Sequence, residues 1–278
     1  MRCITLLAIA FTSIFFVTRL PASAADTAVE FEMMTWPEIK AALASGKTTA
    51  LFYTGGTEQR GPQNVAGGHN LMGRATVKAI ALKLGNAIAM PVLPYTPNAA
   101  SADQPGTIGL TPEILEMTLA RIGEQAIANG FKNVVLMGDH GGGQPNVYAS
   151  VAKKLDAAYG AKGIHVYYCD QVYAPANAAY DKMLKERGLP IGTHAGISDT
   201  SEMIYLSEQT PGAAWVRKEL LSTALGDPVP APGAKPAPPQ AKNGITGDAR
   251  PSTAALGKVI FDLRVDYAVR QIQGFIKP

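Results

Sequence analysis

The sequence predicts an α/β fold of three layers, in which helices cover both faces of a mostly parallel sheet. Short apolar segments of strand length alternate with longer segments of helical periodicity, and this alternation is typical of parallel strands joined by crossover helices. The chain has 278 residues, 47% of them hydrophobic and 17% charged, so it can fill a sizeable core. We expect residues 25–278 to form one α/β domain of this class.

The N-terminal segment has the pattern of a secretory signal peptide. Arg2 precedes an apolar stretch from Ile4 to Val17, and the small residues from Pro21 to Ala24 form an A-x-A-like cleavage site. This stretch is shorter than the roughly 20 residues that span a bilayer, so a membrane anchor is disfavoured. We expect residues 1–24 to be removed on export, which would leave a periplasmic or secreted protein without a stable membrane anchor.

Charge and cysteine content exclude two kinds of feature. The chain has 25 basic and 22 acidic residues, and it contains no long basic run, so a nucleic-acid partner is not expected. Cleavage after Ala24 would leave Cys169 as the one cysteine, and no intramolecular disulfide could then form. Because Cys169 ends an apolar, strand-like segment, we interpret it as part of the core.

The first half of the domain contains two predicted strands and two predicted helices. Thr35 to Glu38 form a capping box with a proline in the first turn, which indicates a helix start. The predicted elements in chain order are a helix ending near Gly46, a strand from Thr48 to Tyr53, a polar loop from Gly55 to Gly73, a helix from about Ala75 to Leu84, and a strand from Ala87 to Leu93.

The second half repeats the same alternation. Thr111 caps the clearest helix, which ends at Gly130, and the strand from Asn133 to Met137 leads into the glycine-rich loop Gly138 to Gly143. The apolar stripe Val147, Val151, Leu155 and Ala158 predicts the next helix, and Leu256, Ile260, Leu263 and Tyr267 predict the last one. Before it, residues 227–240 are rich in proline and should form a surface segment.

Three histidines fall in polar segments that favour a metal site. In parallel sheets the ligand site gathers outside the carboxyl ends of the strands, where both polar loops lie. His69, His140 and His194 are expected in such loops, whereas His165 lies among apolar residues and is interpreted as structural. Imidazole together with nearby carboxylates suits zinc and related metals.

Other common site types lack their motifs in this chain. The sequence has neither a G-x-G-x-x-G fingerprint nor a P-loop, so nucleotide binding at Gly141 to Gly143 is disfavoured. It also has no G-x-S-x-G elbow, which disfavours a serine hydrolase of the α/β type.

Five segments, taken in order, resemble the motifs of the creatininase (creatinine amidohydrolase) family. They cover almost the whole chain after the predicted signal peptide. The segments are Gly55 to Pro62, Pro105 to Ile108, Gly138 to Gly143, His194 to Ser201, and Gly247 to Asp248.

This resemblance implies a layered α/β fold, often hexameric, and hydrolysis of amide bonds in small or cyclic substrates at a two-metal site. Glu58 matches a metal-binding glutamate and His140 a metal-binding histidine of the family. Asp199 stands where the family has a glutamate at the site, and His194 matches the catalytic histidine.

Two positions depart from the family pattern. Arg60 replaces a metal-binding histidine, and His69 falls where a bridging aspartate is expected. A guanidinium stays protonated and cannot ligate, and one neutral imidazole cannot bridge two cations. We therefore expect one divalent metal, zinc first and manganese as the alternative, with a second metal doubtful. The best ligand set is Glu58, His69 and His140, with Asp199 as a fourth ligand or an orienting residue.

The predicted reaction is metal-assisted cleavage of an amide C–N bond in a small molecule. His194 would protonate the leaving nitrogen, and the amides of Gly141, Gly142 and Gly143 would stabilise the oxyanion. Arg60 would either neutralise Glu58 or bind a carboxylate of the substrate. The competing hypothesis is a non-catalytic periplasmic protein that binds a small ligand or a metal on this scaffold. A homo-oligomer, by resemblance a hexamer, is expected in either case.

Overall fold

The computed structural model describes residues 28–230 and 243–276. The predicted signal peptide, residues 1–24, lies outside the described residues, as do residues 231–240 of the proline-rich segment.

A parallel sheet forms the centre of the molecule. Its strands are β1 (Thr49–Thr54), β2 (Ala87–Ala89), β3 (Asn133–Gly138) and β4 (His165–Tyr168). They lie in the order β2-β1-β3-β4, and every neighbouring pair is parallel. A separate antiparallel pair is formed by β5 (Gly192–His194) and β6 (Thr246–Gly247). The expected mostly parallel sheet is therefore confirmed.

The helices lie between and after these strands. They are α1 (Trp36–Ala44), α2 (Gly68–Leu84), α3 (Pro112–Ala128), α4 (Gln144–Tyr159), α5 (Ala174–Glu186), α6 (Ile197–Glu208) and α7 (Ala254–Phe275). Short 3-10 helices occur at Phe31–Met33, Ala99–Ser101, Gly160–Lys162 and Lys218–Thr223. Among the described helices, none is long and apolar enough to cross a membrane.

Alternate residues of the central strands face two different hydrophobic clusters. Ala50 and Phe52 of β1 pack with apolar residues of α3 and α4. Leu51 and Tyr53 face the opposite side, where they pack with residues of α2 and α7. Because side chains alternate along a strand, one short apolar segment supplies both interfaces. This arrangement is the predicted three-layer α/β fold.

Helix α2 begins earlier than predicted. It starts at Gly68, so the loop after β1 is shorter than the expected range Gly55 to Gly73, and His69 lies in the first helical turn. The glycines that suggested a loop are explained by close packing, because a Cβ at Gly73 would lie 2.6 Å from the Tyr53 ring. His194 likewise ends β5 and is not in a loop.

Two other predicted boundaries also change. Strand β2 ends at Ala89, since Pro91 has no amide to continue a ladder, and Leu93 forms only an isolated bridge with Thr54. In α7 the buried stripe runs at intervals of four, through Ile260, Arg264, Ala268 and Ile272. The predicted members Leu263 and Tyr267 are only partly buried.

Candidate metal centre

The site lies where the carboxyl ends of β1 and β3 meet. Thr54, the last residue of β1, is the register partner of Gly138, the last residue of β3. Glu58 follows the first strand, and Asp139 and His140 follow the second. His69 reaches the same place from the first turn of α2, and His194 from the end of β5. All five side chains line a cavity of about 450 Å³.

Glu58 is the centre of the predicted ligand set. Its Oε1 lies 2.9 Å from His69 Nε2, and its Oε2 lies 3.0 Å from His140 Nε2. One candidate ligand atom from each of these three residues lies within 4.8 Å of the others. The structure therefore brings together Glu58, His69 and His140, the three residues that the sequence favoured as ligands.

The charges of this cluster are tightly coupled. Burial alone would raise the pKa of Glu58, but hydrogen bonds from His140 and His69 hold it well below its usual value. For His69, burial and the nearby Arg60 charge lower the pKa, yet the carboxylates of Asp139 and Glu58 outweigh them and raise it to about 9. Without a metal, His69 is thus a protonated ring between two carboxylates.

Contacts of the second ring nitrogen differ between the two candidate ligand histidines. His69 Nδ1 lies 2.9 Å from Asp139 Oδ2, a close contact with a carboxylate that is not aligned as a hydrogen bond. His140 Nδ1 accepts a hydrogen bond from the Gly142 amide at 3.0 Å, so its proton is on Nε2. His69 therefore has a carboxylate beside its second nitrogen, as histidine ligands commonly do, whereas His140 must exchange its proton position and lose this contact.

The chemistry of the donors fits one divalent cation. The buried charged residues around the cavity are four carboxylates and two guanidinium groups: Glu58, Asp139, Asp199, Glu202, Arg60 and Arg264. A bound cation would displace the proton of His69, and with the imidazoles neutral and all four carboxylates ionised, two negative charges would remain uncompensated. Buried charge is costly unless it is paired, and one divalent cation would balance this excess.

Arg60 does not line the cavity, which corrects one of its two predicted roles. It is 1% exposed, and its guanidinium lies 3.6 Å from Glu58 Oε1 and 3.1 Å from Asp199 Oδ2. Helix α2 can pack closely against Arg60 because Gly68 has no side chain. A Cβ at this position would lie 2.6 Å from Arg60 Nε. The structure favours charge neutralisation of Glu58 over contact with a substrate carboxylate.

Asp199 lines the cavity but is not one of the three clustered candidate ligands. Its Oδ2 accepts a hydrogen bond from the Ala195 amide at 2.9 Å, in addition to its ion pair with Arg60. Ala195 has a φ of 51°, in the left-handed region that non-glycine residues rarely adopt. The carboxylate therefore holds a strained residue beside His194. Burial raises the pKa of Asp199, but the charge of Arg60 and its other cationic neighbours lower it below the ordinary value.

His194 is held as a neutral ring. Burial lowers its pKa below the ordinary value despite the nearby charge of Glu58. Its Nε2 lies 2.8 Å from the Gln59 carbonyl and 3.1 Å from the Gln59 side-chain nitrogen, and we assign the shorter contact as a hydrogen bond donated by Nε2, because a carbonyl can only accept. Its Nδ1 therefore carries the lone pair and lies 3.5 Å from Glu58 Oε1.

The glycine loop offers fewer free amides than the sequence suggested. The Gly142 amide donates to His140, and the Gly143 amide donates to the Gly141 carbonyl at 2.8 Å. This leaves the Gly141 amide as the candidate donor to a substrate oxygen. A Cβ on Gly141 would lie 3.3 Å from the hydroxyl of Tyr173, which also lines the cavity.

Sequence reasoning missed Arg264, Glu202 and Tyr173. Arg264 occupies the buried stripe of α7 and donates to Glu202 at 2.7 Å. A charged residue at the spacing of an apolar stripe was the available signal, but the predicted stripe followed Leu263 and Tyr267 instead.

Comparisons with known proteins give a consistent result. The sequence model of one family, described as "Creatininase: Creatinine amidohydrolase", matches residues 32–272. A solved structure described as creatininase Mn is 23% identical, with a TM-score of 0.73 over 90% of this chain and 100% of the other. No curated protein matches the chain.

Two further solved structures show the same fold. A creatininase mutant described as Zn-Zn type is 23% identical, with a TM-score of 0.70 over 90% of this chain and 99% of the other. A creatininase mutant complexed with creatine is 22% identical, with a TM-score of 0.70 over 90% and 100% of the two chains.

Proposed function

The chain belongs to the creatininase family, and from this premise we propose that it is a metal-dependent amidohydrolase that cleaves a C–N bond in a small or cyclic amide. The observation that carries the proposal is the cluster of Glu58, His69 and His140 at the wall of a cavity of about 450 Å³. Three protein ligands with an open side are the usual arrangement of a catalytic metal site.

We assign one divalent cation to this cluster, with zinc first and manganese second. The printed descriptions of two structural relatives name manganese and a pair of zinc ions. Here the guanidinium of Arg60 lies between Glu58 and Asp199 and repels a second cation. A cation held by the cluster would polarise the amide carbonyl and make a water molecule more acidic.

His194 is assigned the proton transfers. Its neutral ring presents the Nδ1 lone pair toward Glu58, and its Nε2 proton is held by the Gln59 carbonyl. Nδ1 can accept the proton of the attacking water and then deliver it to the nitrogen that leaves as the C–N bond breaks. This ordering gives His194 the roles of base and acid in turn.

Gly141 and Tyr173 are assigned to the developing oxyanion. The Gly141 amide is the one in its loop without an acceptor among the neighbouring glycines, and the Tyr173 hydroxyl lies beside it. Burial raises the pKa of Tyr173 to about 12, so the hydroxyl keeps its proton and can donate a hydrogen bond. Two donors at one place are the usual means of stabilising such an oxygen.

The test combines metal content with turnover. Wild-type protein should contain about one metal ion per chain by elemental analysis, and His69→Ala and His140→Ala should lose it. On a panel of lactams and formamides with metal present, His194→Gln should lose about 100-fold or more of the turnover. The matched control is His165→Gln, whose ring lies outside the cavity lining and should leave turnover unchanged.

A second candidate function is metal or ligand binding without catalysis. The observation that favours it is the hydrogen bond from Gly142 to His140 Nδ1, which opposes ligation through Nε2. One metal ion per chain, with no amide of the panel hydrolysed even in a single turnover, would support this candidate. No metal under any loading condition would contradict the metal-dependent hydrolase.

Export and assembly are two further proposals. Residues 1–24 should direct export and be cleaved after Ala24, which the N-terminal mass of protein from the periplasmic fraction would check. The mature chain should form a homo-oligomer, with a hexamer suggested by the family resemblance. Light scattering of the mature protein would give its mass.

A further inference from the structure

We propose that Arg264, in the middle of α7, is a positioning residue for the metal site: it holds Asp139 and, through Asp139, sets the ring of His69. This inference rests on the metal site of the proposed function. It adds a residue that lies far from the glycine-rich loops in sequence and makes no contact with the predicted ligands.

Arg264 links three elements behind the cavity. Its Nη1 donates to Glu202 Oε2 on α6 at 2.7 Å and to Asp139 Oδ2 after β3 at 3.4 Å. Its Nη2 donates to Asn177 Oδ1 on α5 at 3.3 Å. A planar guanidinium can hold several acceptors in fixed directions, which an ammonium group cannot do.

Asp139 connects Arg264 to His69. Within the described residues, the contacts that hold its carboxylate are Arg264 and His69, and both reach the same oxygen, Oδ2. The other oxygen, Oδ1, makes no hydrogen bond there. Loss of Arg264 would therefore leave the Asp139 side chain held by His69 alone.

The position of Arg264 is not explained by packing. It is 1% exposed, and its neighbours on the buried stripe of α7 are the apolar residues Ile260 and Ala268. A buried ion pair is often no more stable than apolar side chains of similar volume. Packing alone therefore does not require an arginine here, and its contact with Asp139 at 3.4 Å connects this buried charge to the site.

The orientation of His69 determines how well it can ligate. A histidine ligand is fixed when its second nitrogen donates to a carboxylate, and mutation of such outer partners costs about 10- to 100-fold in metal affinity. His69 Nδ1 lies 2.9 Å from Asp139 Oδ2 in an ion-pair contact that is not aligned as a hydrogen bond, and a displaced carboxylate would remove this contact and free the ring to rotate.

The main experiment measures metal affinity by chelator competition on folded full-length protein. Arg264→Lys should weaken zinc binding about 10-fold, and Asp139→Asn and Arg264→Met about 10- to 100-fold. The double variant Arg264→Met with Asp139→Asn should bind zinc no more weakly than Asp139→Asn alone, because both changes act on the same contact.

The matched control separates positioning from stability. Ile260→Val lies one helical turn before Arg264 on the same buried stripe and should destabilise the fold without changing the zinc affinity. If Arg264→Met does not fold, Arg264→Lys and Asp139→Asn still decide the question. Additive losses in the double variant, or an Ile260→Val loss as large as that of Arg264→Lys, would overturn the proposal.

A second measurement keeps the two proposals distinguishable. In metal-free protein with ¹⁵N-labelled histidine, His69 should show a slowly exchanging Nδ1 proton by NMR, and Arg264→Lys should lose it. If wild type binds zinc but the Arg264 variants bind it equally well, the positioning role is wrong and the hydrolase proposal survives. If wild type binds no metal but the Nδ1 proton still depends on Arg264, the hydrolase proposal fails and the positioning of His69 stands.

Discussion

Two buried arginines lie near the candidate metal site, and they contact it differently. Arg60 and Arg264 are each 1% exposed, and each lies near two carboxylates. Arg60 approaches the candidate ligand Glu58 directly, but none of its three nitrogens makes a well-aligned hydrogen bond within the described residues. Arg264 makes aligned hydrogen bonds and reaches the ligand His69 only through Asp139.

The two arginines therefore have different roles at the site. Without aligned hydrogen bonds, Arg60 contributes mainly its charge, which compensates Glu58 and Asp199. Arg264 contributes direction, because its hydrogen bonds fix where the Asp139 carboxylate lies. A charge can be replaced by another cation, whereas a set of directed hydrogen bonds cannot.

The largest expected effect follows from removing each charge. Arg60→Met and Arg264→Met should each cost about 3–5 kcal/mol of unfolding free energy in metal-free protein, since buried carboxylates lose their partner. Excess zinc should restore much of that loss only in Arg60→Met, because a second cation can bind between Glu58 and Asp199. Elemental analysis should then find about two zinc ions per chain in Arg60→Met and one in wild type.

The charge-conserving variant is the control for this effect. Arg60→Lys keeps the cation and should keep one zinc ion per chain. Equal recovery of Arg60→Met and Arg264→Met with zinc would show that the two arginines do the same work. A wild-type protein with two zinc ions would remove the charge argument for Arg60.

The unfolding free energy should depend on pH in opposite ways for Glu202, the partner of Arg264, and Asp199, the partner of Arg60. Burial raises the pKa of Glu202, the partner of Arg264, to about 7 from an ordinary 4.5, although the charge of Arg264 opposes the shift. The folded state therefore holds an extra proton between these values. Below pH 4.5 this difference in pKa stabilises the folded state by its full amount, about 3 kcal/mol. The stabilisation should be lost as the pH rises through 7.

For Asp199, the partner of Arg60, the pKa shift on folding has the opposite sign to that of Glu202. Burial raises its pKa but the charge of Arg60 and its neighbours lower it overall, so its contribution is present above the ordinary value and is lost in acid. Urea unfolding of chelated protein between pH 3 and 8 measures both limbs. Glu202→Gln should flatten the limb between pH 4.5 and 7 and leave the acid limb unchanged. If the unfolding free energy of Glu202→Gln depended on pH between 4.5 and 7 as it does in wild type, Glu202 would be excluded as the cause of that pH dependence.

The two arginines also differ in how visible they are in the sequence. Arg60 lies in a glycine-bearing segment whose resemblance to a family motif marks its position. Arg264 lies in a helix without any motif, and only its place on a stripe of buried residues distinguishes it. The strand and helix order and the layers were predictable because hydrophobic periodicity reflects local structure, whereas the ligand set followed from strand-end loops together with the family resemblance.

What the sequence could not give depends on contacts between distant segments. His69 was expected in a loop because glycines surround it, yet Gly68 and Gly73 are helical residues that allow close approach to Arg60 and Tyr53. The glycine loop was expected to bind an oxyanion, but the Gly142 amide donates to His140. Each outcome is decided by a partner that lies elsewhere in the chain.

A smaller effect comes from adding a Cβ at two closely packed helical glycines, Gly68 of α2 and Gly257 of α7. A Cβ at Gly68 would lie 2.6 Å from Arg60 Nε, whereas one at Gly257 of α7 would lie 1.9 Å from the Ser201 carbonyl oxygen on α6. Gly257→Ala should cost more unfolding free energy, up to about 3 kcal/mol, because backbone must move. Gly68→Ala should cost less but change the zinc affinity, since the added Cβ must displace the Arg60 side chain that lies 3.6 Å from Glu58. Denaturant unfolding and chelator competition measure the two effects, and an unchanged zinc affinity in Gly68→Ala would contradict direct contact between Arg60 and the site.

The smallest effect belongs to a second histidine–aspartate pair with almost the same separation. His165 Nδ1 lies 3.0 Å from Asp156 Oδ1 in an aligned hydrogen bond, and His69 Nδ1 lies 2.9 Å from Asp139 Oδ2 without that alignment. The first pair is 44% and 43% exposed and the second 7% and 0%, so the pairs differ in burial as well as in alignment. His165→Gln should change the unfolding free energy by less than about 1 kcal/mol, because water screens an exposed pair. His69→Gln should cost metal-free protein several times more, as judged by denaturant unfolding at pH 7. Similar losses of unfolding free energy in both variants would mean that burial does not strengthen the His69–Asp139 pair. Arg264 would then not stabilise the fold by holding Asp139 against His69.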